Sequence, residues 1–394
     1  MTETYDAVIV GGGPAGATAA ADLARPDRAV LLLDKAGRIK PCGGAIPPIL
    51  VREFAIPEDL LVARANGARI VAPSAAEADM PIDGGYVGMV DREVFDEWLR
   101  DRAVKAGAER RDASFARVTR DPDGIARVHF TVKGETSETS VRARAVIGAD
   151  GAKSAVAKQC VPGADRIRYV FAYHEIVRAP KADSHSYDPG RCDIYYQSPL
   201  SPDFYAWVFP HGETMSIGTG SAKKGFGLRP AVTQLRASAG LDGLETIRRE
   251  GAPIPMRPMK RWDNGRDVIL AGDAAGVVAP ASGEGIYYAM LGGRLAAEAV
   301  EALWITGDVR SLRTARQRFM KAHGRVFTVL GFMQWFWYAT DKRRELFVKL
   351  CRDKDVQRLT WESYMNKKMS RRDPMAHLRV FFKDLAHLVG MARA

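Results

Sequence analysis

Cysteine is scarce: the 394 residues hold four, at 42, 160, 192 and 351, with no Cys-x-x-Cys spacing. That pattern offers neither a disulfide framework nor a zinc site, and no metal ligand set is expected. Long apolar runs are missing too. The uncharged run 326–340 is fifteen residues, short of the roughly twenty needed to span a bilayer. No basic-then-apolar leader precedes the first strand near Tyr5, so the expected compartment is reducing cytoplasm. Nor is charge spread evenly. Residues 310–394 hold 20 Lys and Arg against 7 Asp and Glu, a net of +13 within a total of +11, which leaves −2 for residues 1–309. No nucleic-acid recognition motif accompanies this basic tail, so nucleic acid is not an expected partner.

What is present is ordinary globular composition, 46% hydrophobic and 27% charged, in a chain long enough for two or three domains. Residues 5–10 read as an apolar strand, followed by Gly11-Gly12-Gly13-Pro14-Ala15-Gly16 and a small-residue helix over 17–24. A second strand over 28–33 ends in Asp34. In this G-x-G-x-x-G arrangement Gly11 makes the tight turn, Gly13 lets the main chain approach a pyrophosphate, and Gly16 permits close packing of helix on strand. Asp34, eighteen positions past Gly16, is placed to accept ribose hydroxyls, and its carboxylate would repel a 2′-phosphate. FAD or NAD fits this site; NADP does not.

The stretch 271–286 has the same strand, loop, helix form near the other end of the chain: an apolar run 268–271, then Gly272-Asp273, then a Gly-rich loop into a helix expected over 283–305. Backbone N–H groups at such a helix start favour an anion or an electron-rich ring edge. Asp273 is placed to accept ribityl or ribose hydroxyls. Residues 145–151 repeat the strand-then-Asp-Gly ending at Asp150. The loop Lys40-Pro41-Cys42-Gly43-Gly44-Ala45 is too rich in Gly and Pro for helix or strand, and serves either as a connector or as a segment lying against a flat ring. Asp91 is expected to cap a helix over 91–105, with Arg92 in its first turn, where acids are preferred. Arg92 is either a solvated surface residue or a partner for phosphate or a ring oxygen.

A meander is expected over 115–119, 125–132 and 137–141, the first two strands joined by Asp121-Pro122-Asp123-Gly124. From 166 to 258 the alternation and the tyrosines indicate a separate antiparallel sheet. Within Pro202-Asp203-Phe204-Tyr205-Ala206-Trp207-Val208-Phe209-Pro210, strand alternation puts Tyr205, Trp207 and Phe209 on one face and Phe204, Ala206 and Val208 on the other. That stripe is either core or the wall of a hydrophobic tunnel. The tail reads as helical throughout. Its basic clusters, Lys342-Arg343-Arg344 and Lys367-Lys368 with Arg371-Arg372, sit beside aromatic amphipathic segments and suit either a helix lying on anionic lipid or a solvated cap.

The whole set resembles the FAD-dependent geranylgeranyl reductases, within the flavoprotein class that includes the aromatic hydroxylases. The resemblance rests on Gly11-x-Gly13-x-x-Gly16, Pro41-Cys42-Gly43-Gly44, Arg92, Asp150-Gly151, the Pro-x-x-Tyr-x-Trp-x-Phe-Pro stretch at 202–210 and Gly272-Asp273 through Ile286. It extends over nearly the whole chain. The long basic, aromatic tail is most similar to the branch that saturates the geranylgeranyl tail of bacteriochlorophyll or chlorophyll to phytyl. It implies FAD contacts from Ala15, Asp34, Cys42, Gly43, Ala45, Arg92, the main chain at Val118, Asp273, Gly285 and Ile286, with NADPH as electron source. Asp34 departs from the class, which usually carries glutamate there; the shorter acid still reaches ribose.

The fold expected is α/β (α+β): a Rossmann-type FAD-binding domain, an antiparallel-sheet substrate domain and a helical C-terminal region. FAD binding is assigned to 1–64, 91–160 and 266–309, the substrate sheet to 65–90 and 161–265, and the basic helical region to 310–394. An isolated trisubstituted alkene has no carbonyl to take up charge, so a proton donor must stand across from the flavin; Cys42, Tyr205 or a water they hold are the candidates. Tyr205, Trp207 and Phe209 are the expected substrate residues. Membrane contact through the C-terminal region, at the cytoplasmic face, is expected. A monooxygenase or epoxidase of the same fold, and a non-catalytic prenyl-binding carrier, are the rival readings.

Overall fold

A computed structural model describes residues 3–35, 37, 39–180 and 187–367. In chain order its elements begin β1 (Thr4–Val10), α1 (Pro14–Leu23), β2 (Val30–Asp34), β3 (Ala45–Ile46), α2 (Pro48–Glu53), β4 (Leu61–Ala65), β5 (Gly67–Val71), β6 (Glu77–Pro81) and β7 (Val87–Val90). Next come α3 (Arg92–Lys105), β8 (Glu109–Arg120), β9 (Ala126–Val132), β10 (Thr139–Gly148), α4 (Ala155–Cys160), β11 (Tyr169–Arg178), β12 (Arg191–Tyr195), β13 (Ala206–His211) and β14 (Thr214–Ser221). The rest are α5 (Leu228–Ser238), β15 (Thr246–Pro255), β16 (Val268–Leu270), α6 (Ile286–Thr306), α7 (Arg313–Trp337), α8 (Asp341–Leu350) and α9 (Lys354–Asn366).

Two compact units divide the chain. The first takes Met1–Cys42, Arg92–Val170 and Ala252–Phe327. Its heart is a parallel sheet in which β2 and β10 flank β1, β8 adds beside β2, and β16 adds beside β10. Val8, Ile9, Leu31, Leu32, Val146, Ile147 and Ile269 are fully buried, the near-continuous apolar strands of a sheet covered on both faces. The expected meander is present in altered form. β8 pairs with β2 over Glu109–Asp112 and with β9 from Ala113 on, while β10 leaves β9 after Ala143 to run beside β1. Two long strands thus serve both the parallel sheet and the meander, so the strand expected over 137–141 and the one before Asp150 are a single element.

The second unit takes Gly43–Asp91, Phe171–Gly251 and Thr328–Ala394. Its seven-stranded sheet runs β15-β11-β14-β13-β12-β5-β6, with β3, β7 and β4 in a small second sheet. The sheet is antiparallel except between β12 and β5, which run parallel because β5 arrives from a distant part of the chain. On one face, Val71, Val177, Ala206, Val208, Met215 and Ile217 pack with Val232 and Leu235 of α5.

These boundaries differ from those read in the sequence. Residues 43–64 group with the second unit, since Ala45 pairs with Met89 and Leu61 with Val90. Residues 161–170 and 252–265 group with the first, where Met256 N–H donates to Arg168 O at 3.0 Å. The described part of the tail divides between the two: Phe319 packs its ring 5.2 Å from Trp262, in the first unit, and Tyr338 hydrogen-bonds Tyr196 at 2.9 Å, in the second.

Candidate active site

The first unit builds a cradle from both ends of the sequence. Gly11 has φ +105°, and a Cβ there would lie 2.4 Å from Ala149 O. A Cβ on Gly16 would lie 1.8 Å from Gly11 O, so α1 sits directly on the turn that precedes it. Pro14 opens α1, its fixed φ suited to the first helical position. Gly13 is different. Its φ of −75° suits any residue, and an added Cβ would meet nothing within 4 Å. The fold itself does not require glycine at 13. It leaves open space at the N-terminus of α1, where unpaired N–H groups and the helix dipole favour an anion.

Asp34 ends β2 and accepts from Gly12 N–H at 3.0 Å, with Arg100 Nη1 of α3 at 3.4 Å. The opposite end of the chain closes on the same helix. Gly272 has φ +62° and would place a Cβ 2.7 Å from Ala15 Cβ, while a Cβ on Gly293 of α6 would lie 2.1 Å from Ala15 O. Asp273, buried, meets Lys40 Nζ at 2.5 Å. Gly285 precedes α6 and Ile286 opens it, with the Glu284 carboxylate accepting from the Tyr287 N–H of the first turn at 3.0 Å. Gly11, Gly13, Ala15, Gly16, Asp34, Asp273, Gly285 and Ile286 thus lie in one unit around α1 and the start of α6. A bare phosphate-ready helix start, a ribose-ready acid and glycines at close approaches fit FAD.

Arg92 is not solvated. It is 5% exposed, and its Nε and Nη2 donate to Asp96 at 2.8 and 2.7 Å, with Cys42 as a further hydrogen-bond partner. Burial opposes its charge, but Asp96 and Cys42 outweigh that and hold the guanidinium above its ordinary value. Sequence reading passed over Asp96, although the i,i+4 spacing signals the pair. Asp150 caps a helix: it accepts from Ser154 Oγ at 2.5 Å and from Ala155 N–H at 2.6 Å. The Val118 N–H is taken by Gln159 Oε1 at 3.1 Å.

Gly43 and Ala45 belong to the second unit, Ala45 as part of β3. A Cβ on Gly43 would lie 3.2 Å from the Phe209 ring, and Gly44, at φ +71°, would press on His211 Nε2 at 2.6 Å. Trp207 and Phe209 lie opposite Ala206 and Val208, as alternation requires, outside the α5 core. Phe204 departs from the expected pattern. β13 starts at Ala206, so Phe204 lies in the preceding turn, where its N–H donates to Ser201 Oγ at 2.9 Å and its ring stacks on Tyr205 at 4.3 Å. A buried aromatic series results, Tyr196 to Tyr205 at 6.1 Å, Tyr205 to Trp207 at 5.9 Å and Trp207 to Phe209 at 6.0 Å.

Desolvation pushes the His211 imidazole down from 6.5 to about 4. Between those values the unfolded chain takes up a proton that the folded one refuses, so stability is full above pH 6.5 and falls as pH drops towards 4, by about 3 kcal/mol in all. The melting temperature of the wild type is expected to fall more steeply over that range than that of His211→Gln.

The tail corrects the reading of its first basic cluster. Arg344 is fully buried; its Nε and Nη2 donate to Tyr338 O at 3.1 and 2.8 Å, and its Nη1 to Ser198 Oγ at 3.1 Å. Arg343 lies 4.3 Å over the Phe336 ring, which leaves Lys342 as the exposed member. Lys367 is buried, its Nζ 4.0 Å from the Tyr364 ring; Lys368, Arg371 and Arg372 lie outside the described residues. Among the described residues no helix is long and apolar enough to cross a membrane.

A family model described as lycopene cyclase protein matches residues 6–387. The geranylgeranyl diphosphate reductase of Rhodobacter capsulatus is 57% identical over 387 residues, 98% of each chain. Among solved structures, a geranylgeranyl bacteriochlorophyll reductase-like protein from Thermoplasma acidophilum superposes with a TM-score of 0.81 at 22% identity, covering 96% of this chain and 98% of that one. The flavin-dependent brominase Bmp2 does so with a TM-score of 0.74 at 16% identity, covering 98% and 99%. The fold is therefore that of the FAD-dependent flavoproteins, and by its full-length identity the chain belongs to the geranylgeranyl diphosphate reductase family.

Proposed function

We propose that this chain saturates the double bonds of a geranylgeranyl group to give phytyl, on the free diphosphate or on (bacterio)chlorophyll, drawing electrons from NADPH. The full-length likeness to the R. capsulatus reductase carries this reading. The FAD contacts we assign are Gly11, Gly13, Ala15, Gly16, Asp34, Cys42, Gly43, Ala45, Arg92, Val118, Asp273, Gly285 and Ile286. Bound FAD would supply hydride.

The chain's own residues supply the rest. Tyr205, Trp207 and Phe209 give an apolar surface for the isoprenoid, and burial there keeps water from the reacting alkene. The proton must reach the less substituted alkene carbon as hydride reaches the tertiary one, so that no carbanion forms. Cys42 Sγ–H or Tyr205 Oη–H is the donor, directly or through water. Arg92, hydrogen-bonded to Cys42 and held by Asp96, positions that thiol. NADPH is assigned as a transient co-substrate because the sequence carries one dinucleotide fingerprint.

Cys42→Ala and Tyr205→Phe test the assignment. Each variant is expected to keep its flavin and to bleach anaerobically with NADPH at the wild-type rate. A donor's loss lowers tail reduction about 10²–10⁴-fold, read as two-dalton steps by mass spectrometry. Normal tail reduction by both variants overturns the donor role. Loss of anaerobic reduction in the wild type itself, with dioxygen consumed instead, would favour a monooxygenase.

Membrane contact is part of the proposal. On the second half of α7, Val329, Phe332 and Trp335 are exposed, the last two at 57% and 70%, with no charge over 326–340 and Lys342 just beyond. Aromatic residues beside a cation suit the cytoplasmic interface of an anionic bilayer.

A further inference from the structure

The aromatic face of β13 rests on a polar chain. Trp207 Nε1–H donates to Ser216 Oγ at 3.1 Å, Ser216 Oγ lies 2.9 Å from His174 Nδ1, and His174 Nε2 lies 3.1 Å from Glu250 Oε2. Arg248 pairs with the other Glu250 oxygen. Trp207, Ser216 and His174 are all buried. The four residues come from four strands, β13, β14, β11 and β15, and share one face of the sheet: Trp207 and His174 are both register partners of Gly218. That glycine is needed. A Cβ there would lie 2.3 Å from Trp207 Cζ2 and 2.6 Å from His174 Cβ, so the indole lies directly across the β14 backbone.

Hydrogen positions follow from donor inventory. An indole N–H can only donate, so Ser216 Oγ accepts from it, and the same hydroxyl also hydrogen-bonds His174 Nδ1. A carboxylate can only accept, so His174 Nε2–H donates to Glu250. Burial raises the Glu250 carboxyl, but His174 and Arg248 outweigh that and hold it below the ordinary carboxylate range. The Trp207 N–H is thus tied to a buried hydroxyl that is itself held by His174, which sets the plane of the Trp207 ring. Phe209, its neighbour along β13, has no polar side-chain atom by which to be anchored.

We propose that Glu250, His174 and Ser216 are positioning residues: a buried relay that holds the Trp207 indole in one orientation and so fixes how an isoprenoid chain lies along this wall. The proposal rests on the prenyl-reductase reading, and its test separates the two. In protein labelled with ¹⁵N-tryptophan, the Trp207 Nε1–H resonance is assigned by its loss in Trp207→Phe. Ser216→Ala, His174→Phe and Glu250→Gln are each expected to shift that resonance and to speed its exchange with solvent. Unmoved resonances in all three overturn the relay.

With geranylgeranyl diphosphate, Ser216→Ala is expected to raise KM about tenfold, the scale of one lost buried hydrogen bond. Flavin bleaching by NADPH stays at the wild-type rate, and dihydro and tetrahydro products accumulate. In the Trp207→Phe background the same Ser216→Ala change is expected to have no further effect on KM. An equal effect in both backgrounds shows a merely structural serine and overturns the proposal. Should wild-type protein reduce no prenyl substrate, the prenyl-reductase reading fails, while the resonance measurements still decide the relay.

Discussion

Gly13→Ala is expected to purify folded, with the melting temperature of the wild-type apoprotein, and to come off the column nearly colourless. The asymmetry is geometric. A methyl at 13 meets no protein atom within 4 Å and the backbone there is extended, so the fold does not resist it. That methyl projects instead into the space we assign to the pyrophosphate, where the clash would cost roughly 1–3 kcal/mol, or about 10–100-fold in FAD affinity. Gly16→Ala is the contrasting control: its Cβ would stand 1.8 Å from a main-chain oxygen, so stability and flavin binding fall together. Fluorescence titration with FAD alongside thermal melting decides the matter. Wild-type affinity in Gly13→Ala would remove the pyrophosphate from this position.

The second large effect is expected at Arg344, where Arg344→Leu should unfold well below the wild type. The guanidinium is wholly buried and satisfies the Tyr338 carbonyl twice over, as well as Ser198 Oγ. Leucine keeps the packing but takes two donors from the buried Tyr338 carbonyl and one from Ser198 Oγ, which keeps its bond to Asp341, a loss of about 3 kcal/mol. For a unit of roughly 150–250 residues that is about 6–12 °C in Tm. Lys342→Ala, two residues away and exposed, should leave stability within about 0.5 kcal/mol. Equal melting of Arg344→Leu and the wild type would return Arg344 to the solvent-facing role that its neighbours in sequence suggest.

Arg344 shows where sequence reading stops. A run of three cations looks like one charged patch, but a helix turns each residue by about 100°, so neighbours in sequence face different surroundings. The cradle was legible because its spacing is local: Gly11, Gly13, Gly16 and Asp34 fall within one β-α-β turn, and Gly272-Asp273 within another. Its tertiary partners were not. Lys40 reaches Asp273 across 233 positions, and Arg100 reaches Asp34 from a helix with no motif of its own. Asp96 was within reach, since an i,i+4 carboxylate beside an arginine is a spacing rule. Phe204 failed for a smaller reason: a turn pinned by Ser201 delays the start of β13 by two residues, so alternation counted from 204 assigns that ring to the wrong surroundings. The parallel pairing of β5 with β12 depends on chain topology, which no local pattern records.

The glycine contacts that join Ala15 to Gly272 and Gly293 bear on how the protein is born. The cradle needs residues separated by nearly the whole length of the first unit, so it is incomplete until α6 has left the ribosome. At about 5–20 residues per second, the first glycine loop waits roughly 15–50 s for its counterpart. Flavin loading is therefore expected late in synthesis, after β1, β2 and β10 can already have paired without their cofactor.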